Sequence, residues 1–155
     1  IVPIPQPGCF IQRRALNQVG FLDEDWQVVL DRDFFLRCGL YCEMHYIPFT
    51  VAQFRMHPKS KSIAIKTSWK IELPSMYRKF FNRTDLPKEV TSLRRETISN
   101  AYYEAAWIGI DTDQFPVRDL LLCSLYNPSR LMDKYYWLIW QKCIKRLFRK
   151  INKNV

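Results

Sequence analysis

Three sets of side chains in this 155-residue sequence have the types and spacing to do chemistry. The first is Asp31-Arg32-Asp33 with Arg37, where two carboxylates and two guanidiniums fall within seven positions. A carboxylate there can take up a proton, or it can simply complement the dipole at the start of a helix. The second is Cys38-x-x-x-Cys42, which could be half of a metal site. No second Cys or His pair of matching spacing follows, so buried thiols are the plainer reading. The third is the run of cations in 128–155, where eight Lys and Arg face one carboxylate, Asp133, for a net +7.

The elements that would hold these groups fall into two zones. Residues 1–62 mix short apolar runs with Gly and Pro, as α/β segments do. A short helix over 11–19 stops at Gly20, and a second begins near Asp31 and ends near Gly39. Two strands are predicted over 43–47 and 49–56, separated by Pro48, with His57 at the end of the second. Residues 63–155 read as a helical extension. Helices are expected over 61–81, interrupted near Pro74, over 88–110, over 116–126 and over 128–151, the last pair turning at Asn127-Pro128.

In the last helix Met132, Tyr136, Ile139, Trp140, Cys143, Leu147 and Ile151 form an apolar stripe, broadened by Trp137, Ile144 and Phe148, with the cations opposite. Two readings fit this pattern. The helix lies in a membrane interface, or its apolar face covers the protein core while its charges are solvated. Nucleic acid is not an expected partner, because aromatic and basic residues are segregated rather than shared on one surface.

An ordered succession of fragments adds a resemblance. Gln6-Pro7, Arg13-Arg14-Ala15-Leu16 and Val19-Gly20-Phe21-Leu22-Asp23-Glu24 are followed by Asp31-Arg32-Asp33-Phe34-Phe35-Leu36-Arg37 and by Arg55-Met56-His57-Pro58-Lys59-Ser60-Lys61-Ser62. Together they resemble the family 2 glycosyltransferases. The resemblance implies the second half of an inverting GT-A catalytic domain, a Rossmann-like α/β sheet, over 1–62. It further implies a nucleotide-sugar donor, a carbohydrate or lipid-linked acceptor, a divalent metal (Mg²⁺ or Mn²⁺), and a nucleotide-binding half ahead of Ile1 without which the piece is inactive.

On the same resemblance Asp31 is the general base on the acceptor hydroxyl, a group that is a poor nucleophile until its proton is being removed. Asp33 and Arg37 support it, Asp33 by holding the helix start and Arg37 by pairing with an acidic group. His57 reaches the metal or the diphosphate, and Arg55, Lys59 and Ser60 hold donor phosphate oxygens. Gly8, Cys9 and Trp26 lie near the acceptor, Trp26 as a stacking ring. The sequence departs from the family's pattern at Leu30, where Glu or Thr commonly precedes the base.

Composition bounds the rest. A 48% hydrophobic share with 25% charged residues describes a globular chain, and no run of about 20 apolar residues is present to span a membrane. The net charge of +9 suits an anionic partner. Five cysteines, an odd number, fit a reducing, cytosolic compartment, with the inner membrane face as a peripheral site. The missing initiating Met points to a piece of a longer protein. Two functions are expected from these features: sugar transfer with Asp31 as base, or a non-catalytic helical adaptor or peripheral membrane-binding module.

Overall fold

The computed structural model describes residues 4–53, 66–112 and 114–151. The chain divides into two compact units, Ile1–Ile65 and Lys66–Val155.

In the first unit a 3₁₀ turn, Gln6–Gly8, precedes helix α1, Arg13–Val19, and helix α2, Leu30–Tyr41. Gly20 ends α1 with φ +80°, a conformation that other residues adopt only with strain, and its N–H bonds the Leu16 carbonyl at 2.9 Å. Helix α2 buries Phe34 and Cys38, four residues apart on one face, together with Val28 and Val29 just before it.

The expected α/β architecture is not there. Among the described residues there is no strand, and residues 43–53 are exposed throughout. Their Val, Ile, Tyr and Phe content reads as β, but a strand needs a partner for its backbone groups and a face to bury. Around Pro48, which has no N–H to give, the Phe49 N–H instead bonds the Ile47 carbonyl at 2.9 Å in a three-residue turn. The described part of the first unit is helical, so it is not a Rossmann-like half-domain, and the resemblance to GT-A glycosyltransferases is overturned with the sheet it required.

The second unit is a helical assembly of α3, Lys66–Phe81, α4, Lys88–Ser92, α5, Arg94–Asp111, α6, Val117–Tyr126, and α7, Lys134–Ile151. A 3₁₀ segment, Pro128–Met132, leads into α7, its start capped by Asn127 Oδ1 accepting from the Ser129 N–H. Helix α5 is central and packs against α3, α6 and α7. Its inward face carries Ile98, Ala101, Tyr102, Ala105, Ala106 and Gly109 at helical spacing, and the small members let neighbouring backbones come close. At Gly109 a Cβ would stand 3.0 Å from Pro116 Cβ and 3.3 Å from Lys70 Nζ, a tight approach that a larger residue would need its neighbours to yield to. Lys70 itself is mostly buried, paired with Asp119 Oδ2 at 3.2 Å and bonded to Gln114 Oε1 at 3.0 Å. Pro74 sits inside α3 without ending it, its ring buried where packing offsets the lost hydrogen bond.

Helix α7 closes the core with Tyr136, Ile139 and Cys143. The Tyr136 hydroxyl donates to the Leu120 carbonyl at 3.2 Å, and Ser99 Oγ donates to the Cys123 carbonyl at 2.8 Å, so these two hydroxyls buried among the helices are satisfied. Burial pushes the thiols of Cys123 and Cys143 above their usual values, as it does that of Cys38.

Candidate functional surfaces

Asp31 occupies the first turn of α2 and is half-buried, one carboxylate oxygen accepting the Arg32 N–H at 2.8 Å. Asp33 is buried and tied to Arg37, whose Nε lies 2.9 Å from Asp33 Oδ2. The same guanidinium donates to the Phe21 carbonyl at 2.9 Å and to the Val19 carbonyl. Arg37 is therefore a clasp, holding the end of α1 and the following loop against α2, with Asp33 as its counter-charge. Gln18 adds a second tie, its amide donating to the Tyr41 carbonyl at 2.7 Å.

Gly8 closes the first 3₁₀ turn, and the space beside it is bounded by Val51. The Cys9 thiol points back at the Pro5 carbonyl, 3.4 Å away, and burial raises it above its usual value. Neither contact reaches Asp31. Trp26 is half-buried, its backbone N–H bonded to the Asp23 carbonyl at 3.2 Å in the turn before α2. Arg55, His57, Lys59 and Ser60 lie outside the described residues. Among the described residues no group of three or more His, Cys, Asp or Glu side chains converges to hold a metal ion.

The larger surface is on α7. Only part of its apolar stripe is used by the core, along the line Tyr136, Ile139 and Cys143. Turned to the side of that line are Trp137, Ile144, Leu147 and Phe148, between 49% and 61% exposed. The Trp137 indole N–H donates to the Leu131 carbonyl at 2.7 Å, which fixes the ring while leaving half of it in solvent.

The cations of this region divide in the same way. Arg130 pairs with Asp133 at 3.2 Å, donates to Asn100 and stacks 4.9 Å over the Tyr103 ring. Arg146 donates to the carbonyls of Ile110, at 3.0 Å, and Gln114, at 3.4 Å, capping the end of α5 where the helix dipole favours a cation. Lys142 lies 4.5 Å over the Trp107 ring. What remains along the outer edge of the apolar strip is exposed Lys145 and Arg149, with Lys134 at the helix start.

A second surface carries no motif in the sequence. Helices α3, α5 and α6 border a groove of about 770 Å³ whose lining includes Tyr102 and Tyr126, stacked 5.9 Å apart. Arg78, Arg94, Arg95 and Arg118 line it together with an apolar ridge on α6. The signal available beforehand was the second face of α6: Leu120 and Cys123 are buried, while Val117, Leu121 and Leu125 repeat every four residues on the outside.

No helix among the described residues is long and apolar enough to cross a membrane. Comparisons with protein-family models, with curated proteins and with solved structures found no match to this chain.

Proposed function

We propose that the protein is a non-catalytic helical module that sits peripherally on an anionic membrane surface, at the cytoplasmic face, and contacts it through α7. The observation that carries this reading is the exposed strip of Trp137, Ile144, Leu147 and Phe148 with Lys145 and Arg149 along its edge. An interfacial helix needs an apolar face that enters the headgroup boundary and cations beside it to meet anionic lipid. Helix α7 offers both while its other apolar face anchors it to the helices beneath. Sedimentation with phosphatidylserine-containing vesicles and with neutral phosphatidylcholine vesicles tests it. Binding is expected to require the anionic lipid, to weaken with added salt and to be lost in a Trp137→Ser, Phe148→Ser variant. Absence of binding at low salt overturns the reading.

A second reading, transfer of a sugar from a nucleotide-sugar donor to an acceptor hydroxyl with Asp31 as base, now rests on that carboxylate alone. What favours Asp31 is the contrast with its neighbour: Asp33 is committed to Arg37, whereas Asp31 stands half-exposed at a helix start with the Arg32 N–H on one oxygen. Turnover of UDP, GDP and dTDP sugars with Mg²⁺ or Mn²⁺, abolished by Asp31→Asn, is the result it requires. Transfer that survives Asp31→Asn in a folded protein removes it.

A further inference from the structure

The groove between α3, α5 and α6 has a charge pattern that the membrane reading of α7 leaves unused. Its four guanidiniums come from three helices, and no carboxylate among the described residues lines it. Arg94 donates to Asn82 Oδ1 at 3.2 Å and Arg95 to the Tyr126 carbonyl at 3.2 Å, each with further N–H groups to offer. Arg78 and Arg118 are exposed and form no ion pair with a described carboxylate. Between these charges runs the ridge of Val117, Leu121 and Leu125, the last two 56% and 70% exposed.

The arrangement is linear. Arg118 stands at the first turn of α6, while Arg95 reaches the carbonyl of Tyr126 at its last residue, so the cations flank the two ends of a ten-residue helix. At 1.5 Å per residue the ridge from Val117 to Leu125 is about 12 Å long. A single phosphate would need its cations gathered at one point. Carboxylates two turns apart on a helix, with leucine-like side chains between them, match charges spread over this length.

We propose that this groove docks an acidic amphipathic helix of a partner protein, its apolar side chains laid along Leu121 and Leu125 and its Asp or Glu side chains paired with Arg78, Arg118 and the Arg94–Arg95 end. Arginine forms two parallel hydrogen bonds to a carboxylate, which gives the site preference as well as affinity. Like charges held around an apolar trough also disfavour cationic segments there.

The test uses the full 155-residue chain and a fluorescein-labelled 18-residue helix-forming peptide with Leu at four- and three-residue spacing and Glu on both flanks, read by anisotropy. Binding is expected, tightening as salt falls, and weakening at least tenfold in an Arg78→Gln, Arg118→Gln variant. The same peptide with Gln for Glu is expected to lose as much on the unaltered protein, a readout that does not depend on any variant folding. A Lys145→Gln, Arg149→Gln variant keeps peptide binding, which separates this site from the α7 surface. No binding at low salt, or binding indifferent to both the arginine changes and the peptide's charges, overturns the proposal. So does loss of phosphatidylserine vesicle binding in the groove variant with peptide binding intact, which would assign the groove to lipid.

Discussion

The two units of the chain are held together by different means. Among the described residues the first unit buries four apolar side chains, Val28, Val29, Phe34 and Cys38, and then relies on Arg37, which reaches Asp33 and two backbone carbonyls at once. The second buries fifteen, spread over four helices around α5. A core of many apolar contacts distributes its stabilisation over many residues, whereas a clasp concentrates it in one. The difference shows where each unit is vulnerable.

The largest expected effect is in the second unit. Ile98→Ala, at a fully buried position on α5, is expected to cost about 4 kcal/mol of unfolding free energy, measured by urea titration. A cost under about 1 kcal/mol would mean that the core relaxes around the gap and that the contrast with the clasp is false. Next comes the clasp: Arg37→Met leaves Asp33 buried without its cation and is expected to cost about 3 kcal/mol. The readout is hydrogen exchange at the α2 amides, which should speed up by about a hundredfold.

A third test uses the thiols. Burial raises Cys38, Cys123 and Cys143, so their contribution to stability is complete below the unfolded thiol value and is lost as pH rises through the folded one. Stability should therefore be flat near neutral pH and fall above about pH 9, by no more than about 1.4 kcal/mol per pH unit for each thiol. Cys123→Ala should reduce that slope, followed by thermal melts across the alkaline range. The smallest effect on stability, within about 0.5 kcal/mol, is expected for Lys145→Gln with Arg149→Gln. That pair should nevertheless lower binding to anionic vesicles about thirtyfold, at about 1 kcal/mol per cation near the surface.

Much of the second unit was legible because its signals are local. Helical spacing and the breaks at 81 and 111 need no knowledge of tertiary contacts, whereas the helix expected from 128 begins only at Lys134, after a 3₁₀ segment. The split at Leu93, which divides the helix expected over 88–110, was not visible, and neither was the continuity of α3 through Pro74. Residues 43–53 were misread because β-branched and aromatic residues describe what a strand would like to bury, not whether a partner strand exists. The acidic start of α2 could be placed in advance, yet Arg37's two carbonyl partners lie 16 and 18 positions upstream and follow no spacing rule. The net charge of 128–155 could be counted, but which cations are consumed inside the fold, as Arg130 and Arg146 are, depends on side chains from α5. The four groove arginines belong to three helices and have no sequence signature as a set.

The crowding at position 109 also limits how this chain can drift. A side chain there would press on the ring of Pro116, which precedes α6, so alanine requires that ring to yield by a few tenths of an ångström. Gly39, inside α2, has nothing within 4 Å of an added Cβ, and alanine there should gain up to about 1 kcal/mol of helix stability. A saturation library would thus favour the smallest residues at position 109 and accept larger ones at position 39. Two identical residues in one sequence thus face different local constraints, one hemmed in by a neighbouring ring and one beside open space.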